Sequence, residues 1–206
     1  MKTKFFLSAV LLCFTIAAKA QVYNGNLEFN TQEEVDDFNY TEVNGDLVII
    51  YFNNGGFGGT EIRNLNHLSM LTKINGSLRI LSSRGDSTLT FYGLGNLKYI
   101  GKFHLMDNIA IKLSGLDNIE RIETLESTSP FILSPFDGLQ NLKSIGTLSV
   151  SGSRQEDTLY FKGLNNVETI GDLIKNFDDY LSFNGLDNLK QITGKLDFIS
   201  TYGNIN

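Results

Sequence analysis

Cysteine is nearly absent from this sequence of 206 residues, and its scarcity excludes several kinds of site. The only cysteine, Cys13, lies in an apolar leader, so the chain after the leader has no disulfide, thiolate nucleophile or cysteine-bound metal. Proline is rare, with 2 residues, and charged residues make up 19% against 41% hydrophobic ones. This balance excludes a disordered chain and provides enough apolar material for one folded domain.

Positive charge is also in short supply. The formal net charge is −6, so the chain lacks the basic face with which a nucleic-acid-binding protein displaces counterions. We therefore expect no nucleic-acid partner. No apolar run long enough to span a membrane follows the leader, and we expect no transmembrane span.

The leader itself has the pattern of a secretory signal peptide. Lys2 and Lys4 precede an apolar run over residues 5–17, and Ala18 and Ala20 supply the small residues that a signal peptidase reads. We expect residues 1–20 to be removed before Gln21, which would change the formal charge from −6 to −9. The remaining residues, 21–206, are predicted to form one domain that is secreted or displayed on the outer cell surface.

An internal repeat determines the predicted fold. The pattern Gly-Leu-x-Asn-Φ-x-x-Ile, where Φ is aliphatic, occurs five times, and a degenerate copy begins at His67. Successive copies start 22 to 26 residues apart, at Gly93, Gly115, Gly138, Gly163 and Gly185. Alternating apolar segments such as Leu148-Ser149-Val150 flank each copy and predict half-buried strands. A coil of this length cannot bury its apolar edge alone, so about seven coils are expected to stack as an all-β solenoid with parallel sheets.

This interpretation predicts a structural role for each repeated residue type. The three aliphatic residues of the motif are three positions apart, which predicts a 3₁₀-like corner that turns them all inward. The glycine would permit a close approach that a side chain forbids. A ladder of asparagine amides would bond the backbone groups that the corner leaves unpaired, and its members are Asn96, Asn118, Asn141, Asn166 and Asn188. An apolar column two positions before each glycine would fill the core, with Leu65, Phe91, Leu113, Phe136, Phe161 and Phe183.

The two ends of the domain are predicted to differ. Thr31 and Glu34 form a capping-box pattern, so a short helix is expected within an N-terminal cap and first coil over residues 25–45. The C-terminal end has no polar cap in this sequence, and an uncapped solenoid exposes a strand edge. Self-association through that edge is one expected consequence.

The repeat resembles that of receptor L domains, the leucine-rich-repeat-like ligand-binding domains of insulin- and EGF-type receptors. It is more similar still to secreted bacterial and fungal cell-wall proteins that share this domain. The stretch Glu33-Glu34-Val35-Asp36-Asp37-Phe38 and the segment 43–49 resemble the start of the family. The resemblance covers residues 25–200 and implies a right-handed β-helix-like solenoid that presents a recognition surface. The leader ending Ala-Gln and the cysteine-free mature chain are similar to surface proteins of Bacteroidetes-type bacteria, whereas the disulfides of animal members are missing.

Residues that could perform catalysis or hold a metal are few. His67 and His104 have no metal-ligand spacing, and acidic doublets such as Asp36-Asp37 and Asp178-Asp179 match no calcium loop. The tripeptide at 84–86, Arg-Gly-Asp, is a weak adhesion signal. No cofactor or metal is therefore expected. The candidate binding face consists of outward-facing residues next to the apolar column, namely Thr90, Tyr92, Lys112, Tyr160, Lys162 and Ser182.

Three functions remain open at this point. The leading hypothesis is a recognition or adhesion module that binds protein or glycan without catalysis. A β-helical polysaccharide-active enzyme is the first alternative, because the acidic doublets could supply an acid and a base. A structural stalk that associates end to end is the second.

Overall fold

Parallel strands from successive repeats pair along the described part of the chain. The computed structural model describes residues 21–51, 62–82, 91–105, 113–128, 136–151, 158–176 and 180–199. They form a parallel β-solenoid of about six turns with little helix, so the predicted all-β solenoid is confirmed. No helix in these ranges has the length and apolar character that crossing a membrane requires.

Most strands belong to one parallel sheet, and a second, two-stranded sheet lies on another side of the solenoid. The large sheet contains β1 (Val22–Asn24), β2 (Leu27–Phe29), β3 (Glu42–Asn44), β4 (Leu47–Tyr51), β5 (Lys73–Ser82), β6 (Tyr99–Leu105), β7 (Arg121–Ser127), β8 (Ser144–Ser151), β10 (Thr169–Asn176), β12 (Gln191–Ile192) and β13 (Leu196–Ile199). The small sheet pairs β9 (Thr158–Leu159) with β11 (Tyr180–Leu181).

Equivalent residues of neighbouring coils lie directly beside each other in the large sheet. Ile145 of β8 aligns with Ile170 of β10, and Leu148 aligns with Leu173. All four side chains are buried, because the matched register turns the same positions of neighbouring strands toward the interior. The core is therefore a set of apolar columns that run along the solenoid axis.

The corner of each coil after the first has the 3₁₀-like hydrogen bonds that the motif spacing predicts. In one coil the amide of Leu164 donates to the carbonyl of Phe161 at 3.0 Å, and the amide of Val167 donates to Leu164 at 2.9 Å. Such i to i−3 bonds place Phe161, Leu164 and Val167 on one side of the backbone, where all three are buried. The corner thus contributes buried side chains to the same core as the sheet.

The motif glycine is required where two corners touch. Gly163 has φ of +99°, a conformation that other residues rarely adopt. A Cβ at this position would overlap the carbonyl of Phe136 in the preceding coil. Both facts support the close-approach role that the sequence predicts for this residue.

The predicted N-terminal helix is α1 (Gln32–Asp36), and its capping box is present. The amide of Glu34 donates to Thr31 Oγ1 at 3.2 Å, and the amide of Thr31 donates to Glu34 Oε2 at 2.9 Å. Gln32 is buried and joins the helix to the next corner, because its Oε1 accepts from the amides of Arg63 and Asn64. Helix α1 therefore takes the place of a 3₁₀ corner in the first coil.

Candidate functional site

The candidate binding face lies at the corner between the small sheet and the 3₁₀ turns. Tyr92 follows the buried Phe91, and Tyr160 and Lys162 flank the buried Phe161. Each buried phenylalanine fixes the backbone, so its neighbours in sequence point outward. Thr90 and Lys112 lie outside the described residues.

Pairing in the small sheet brings two of the predicted residues together. Leu159 of β9 aligns with Leu181 of β11, so Tyr160 and Ser182, the next residues along, are adjacent. Lys162 Nζ lies 3.5 Å from Asp137 Oδ2, one coil earlier. We define the corner surface as Tyr92, Asp137, Tyr160, Lys162 and Ser182.

Tyr92 is more distant than the other members of the corner surface. It occupies the position equivalent to Lys162, with the coils of Ser114 and Asp137 between them. Three coil steps at the usual strand spacing put the two backbones about 14 Å apart. The surface is therefore elongated along the solenoid axis.

The corner surface combines aromatic, charged and hydroxyl groups. The side chains of Tyr92 and Tyr160 are 67% and 42% exposed, large fractions for aromatic residues in a folded domain. Phe183 adds apolar area next to the corner surface. The centre of its ring lies 6.2 Å from that of Phe161 in the buried column, and Phe183 is 47% exposed. Such groups can pack against a ligand and hydrogen-bond it.

The predicted asparagines lie on the outside of the corners and bond the backbone of the preceding coil. In four coils the Nδ2 atom donates to a carbonyl one coil earlier, at 2.6 to 2.8 Å. The donors are Asn96, Asn118, Asn166 and Asn188. Among the described residues, Asn141 has no equivalent bond, so the series is interrupted at one coil.

A second polar series, which was not predicted, occupies the variable position before the asparagine in four of the five motif copies, the exception being Gly95. Asp117 Oδ2 accepts from the amide of Gly115 at 3.2 Å, and Asn165 Oδ1 accepts from Gly163 at 3.3 Å. Gln140 makes the same bond to Gly138 when its amide is oriented to donate to Asp117. The only signal in the sequence is that four of these five positions carry an acid or an amide.

An alternating column of charge follows the aliphatic residue of the motif. Lys98 Nζ lies 3.6 Å from Glu120, and Lys190 Nζ lies 2.7 Å from Glu168. Lys143 stands between the two pairs in the column. The hydrogen bond and charge of Lys190 hold the pKa of Glu168 below its ordinary value. This column is visible in the sequence, as one charge per repeat with the sign reversed each time.

A third unpredicted network surrounds Tyr99 on the outer face of the large sheet. Lys73 Nζ lies 5.4 Å from the centre of the Tyr99 ring, within the range of a cation–π interaction. Arg121 pairs with Glu123 and lowers the pKa of that carboxyl, whereas burial and Glu123 raise the pKa of Tyr99. The network joins neighbouring coils, and its aromatic ring, Tyr99, is less exposed than Tyr92 and Tyr160 of the corner surface.

The remaining candidates for chemistry are dispersed. His67 Nδ1 lies 2.7 Å from Asp36, and hydrogen bonds from Gln32 and His67 lower the pKa of Asp36. His104 lies in β6, where its Nε2 is buried and without a hydrogen-bond partner among the described residues. The doublets at 156–157 and 178–179, and the Arg-Gly-Asp tripeptide, lie outside the described residues. Within the described ranges, no three His, Cys, Asp or Glu side chains are grouped so that they could hold a metal ion.

Comparison with known proteins adds nothing to what the geometry shows of the site. The chain matches no protein-family model, no curated protein and no solved structure.

Proposed function

We propose that the chain is an extracellular recognition module that binds a protein or glycan ligand through the corner surface without catalysing a reaction. The observation that carries this proposal is the exposure of Tyr92 and Tyr160 on a backbone held rigid by buried phenylalanines. Aromatic side chains fixed in this way lose little conformational entropy on binding, which is why they dominate binding energy in many interfaces.

Comparison of the coils with one another also supports the corner surface as the binding site. The buried column conserves an apolar residue in each coil, whereas the position after it changes from Tyr92 to Ser114, Asp137, Lys162 and Asn184. Folding imposes a common requirement on the first position and none on the second. The second position is therefore free to serve a ligand.

Binding arrays test the proposal. All described elements lie within residues 21–199, so a polypeptide of residues 21–206 is a suitable probe for arrays of glycans and of extracellular proteins. A variant with Tyr92→Ala, Tyr160→Ala and Lys162→Ala should lose at least about tenfold in affinity for any ligand found.

A second variant provides the matched control. Thr124→Ala, Thr147→Ala and Ser149→Ala remove the same number of side chains from the outer face of the large sheet and should leave binding unchanged. Loss of binding only in this control variant would mean that the ligand binds to the outer face of the large sheet and not to the corner surface. Release of reducing ends or unsaturated products from any polysaccharide would replace the proposal by the enzyme alternative.

Export to the cell exterior is part of the proposal and has its own test. The expressed full-length chain should be recovered outside the cytoplasm with Gln21 as its first residue, which N-terminal sequencing would detect. An uncleaved chain in the cytoplasm would contradict an extracellular role.

A further inference from the structure

The asparagine ladder at the corners uses only part of its hydrogen-bonding capacity in the fold. Its members, all of them exposed, are Asn96, Asn118, Asn141, Asn166 and Asn188. One N–H of each of four members donates to the preceding coil. Among the described residues only one amide oxygen of the ladder accepts a bond, that of Asn166 from Asn188 at 3.3 Å. The other amide oxygens are therefore available to a ligand.

Asn141, the middle member of the ladder, makes no side-chain hydrogen bond among the described residues. The member on each side of it bonds the coil before its own. The neighbouring Gln140 does not engage it, because the Gln140 amide bonds Asp117 and Gly138 in the orientation given above. The fold gains no hydrogen bond from the Asn141 amide, so its oxygen and both its N–H groups can bind a ligand.

Lys143 adds a second unpaired group in the same coil. The ion pairs of the alternating charge column, Lys98 with Glu120 and Lys190 with Glu168, leave Lys143 without an ion-pair partner among the described residues. Its side chain is exposed and lies two residues after the middle asparagine. A free amide and a free ammonium group therefore occur together at the centre of the ladder.

The ladder presents the same polar group once per coil, at intervals of about 4.8 Å along the solenoid axis. A ligand can use every interval only if its own polar groups also recur along a line. A linear polysaccharide does this, and each of its hydroxyl groups both donates and accepts hydrogen bonds, as the asparagine amide does. We infer that the ligand is a neutral linear polysaccharide that lies along the axis on the ladder and the adjoining corner surface.

The charge of this part of the molecule favours an uncharged polymer. The alternating charge column and the positions just before the asparagines together carry three lysines and four acids. A polyanion would meet the carboxylates and a polycation would meet the ammonium groups, so neither is attracted along the whole ladder. Hydroxyl groups, in contrast, can bond carboxylates, ammonium groups and amides alike.

The ladder and the corner surface belong to the same turns. Asp137 stands four residues before Asn141, and Lys162 stands four residues before Asn166. One chain lying along the axis can therefore contact both surfaces. The inference rests on the proposed function, because it names the chemical class of the ligand that the corner surface binds.

Binding to four neutral polysaccharides tests the inference. Affinity electrophoresis of residues 21–206 in hydroxyethyl cellulose, glucomannan, pullulan and laminarin should show retardation by at least one polymer. The variant Asn141→Ala with Lys143→Ala should bind that polymer at least about tenfold more weakly, with an unchanged melting temperature. Oligosaccharides cut from the polymer should compete better as they lengthen, because more coils are engaged. A carboxymethylated form of the same polymer should bind at least about tenfold more weakly.

The matched control is Asn39→Ala with Lys195→Ala, which removes the same two side-chain types from exposed positions outside the ladder and should leave binding unchanged. Three results would overturn the inference: no retardation by any of the four polymers, equal weakening in the control, or a melting temperature that falls in the Asn141 and Lys143 variant together with binding.

The inference and the proposed function fail separately. A protein ligand that requires Tyr92, Tyr160 and Lys162, with no polysaccharide bound, would overturn the inference and support the corner surface. A polysaccharide that is bound equally by the wild type and by the corner variant, but weakly without Asn141 and Lys143, would place the site on the ladder and contradict the role of the corner surface.

Discussion

Removal of the Phe161 ring should have one of the largest effects on stability in this chain. The side chain is fully buried, and its ring stacks on Phe136 with centres 6.2 Å apart. Its backbone is fixed as well, since the Phe161 amide donates to the carbonyl of Asn184 at 2.8 Å and Gly185 packs against its carbonyl. The surroundings therefore cannot collapse into the space that Phe161→Ala leaves.

The size of the effect follows from two contributions. Burial of a phenylalanine side chain is worth about 1.5–3 kcal/mol, and the unfilled cavity adds to the loss when the side chain is removed. Substitutions of this kind cost about 3–5 kcal/mol. Because a domain is typically stable by only about 5–15 kcal/mol, Phe161→Ala should remove a large part of the stability of the chain.

Two neighbouring positions provide graded controls. Phe183 belongs to the same column but is 47% exposed, so Phe183→Ala should cost about half as much as Phe161→Ala. Tyr160 points outward, and Tyr160→Ala should cost less than about 1 kcal/mol. Urea denaturation followed by circular dichroism measures all three. A cost for Tyr160→Ala equal to that of Phe161→Ala would mean that the assignment of inward and outward positions is wrong.

Two further substitutions test the contacts between coils by thermal denaturation. Gly163→Ala should destabilise the chain by at least about 1–2 kcal/mol because of its positive φ alone. Gly95 has φ −61°, and an added Cβ would lie 3.3 Å from the carbonyl oxygen of Tyr92, so Gly95→Ala should cost less than Gly163→Ala. Similar melting temperatures for the two variants would mean that the close approach of adjacent corners does not require glycine at position 163. Asn118→Ala should cost about 1 kcal/mol for its lost hydrogen bond, and Asn141→Ala should cost almost nothing; the reverse order would contradict the ladder described above.

The sequence is sufficient to predict the parts of the fold that every coil needs in the same form. Phe161 and its equivalents recur at one position because the core has the same width in each coil. Gly163 and its equivalents recur because the backbones of adjacent corners meet there. A requirement that repeats in space leaves a period in the sequence, and that period predicted the solenoid and its corners.

Contacts that occur once, or that accept several residue types, leave no such period. The network of Lys73, Tyr99 and Glu123 takes a different residue from each of three coils, so no repeat indicates it. The bond to the motif glycine can be made by aspartate, asparagine or glutamine, and the position therefore appears variable. The corner surface is of the same kind: Tyr160 and Ser182 become neighbours only through the pairing of β9 with β11.

The alternating charge column gives a prediction about pH. The pKa of Glu168 lies below its ordinary value because Lys190 donates to its carboxylate, with Lys143 on the other side contributing less. A carboxyl group whose pKa is lower in the folded chain than in the unfolded chain stabilises the fold above the unfolded pKa. That contribution disappears as the pH falls through the folded pKa. Lys190→Met should therefore raise the pKa of Glu168 in a carbon-13 NMR titration and reduce stability at pH 7 more than at pH 3. Lys195→Met removes the same charge from the exposed residue just before β13 and should leave the Glu168 titration unchanged. If both variants shift the titration equally, net charge and not the column sets this pKa.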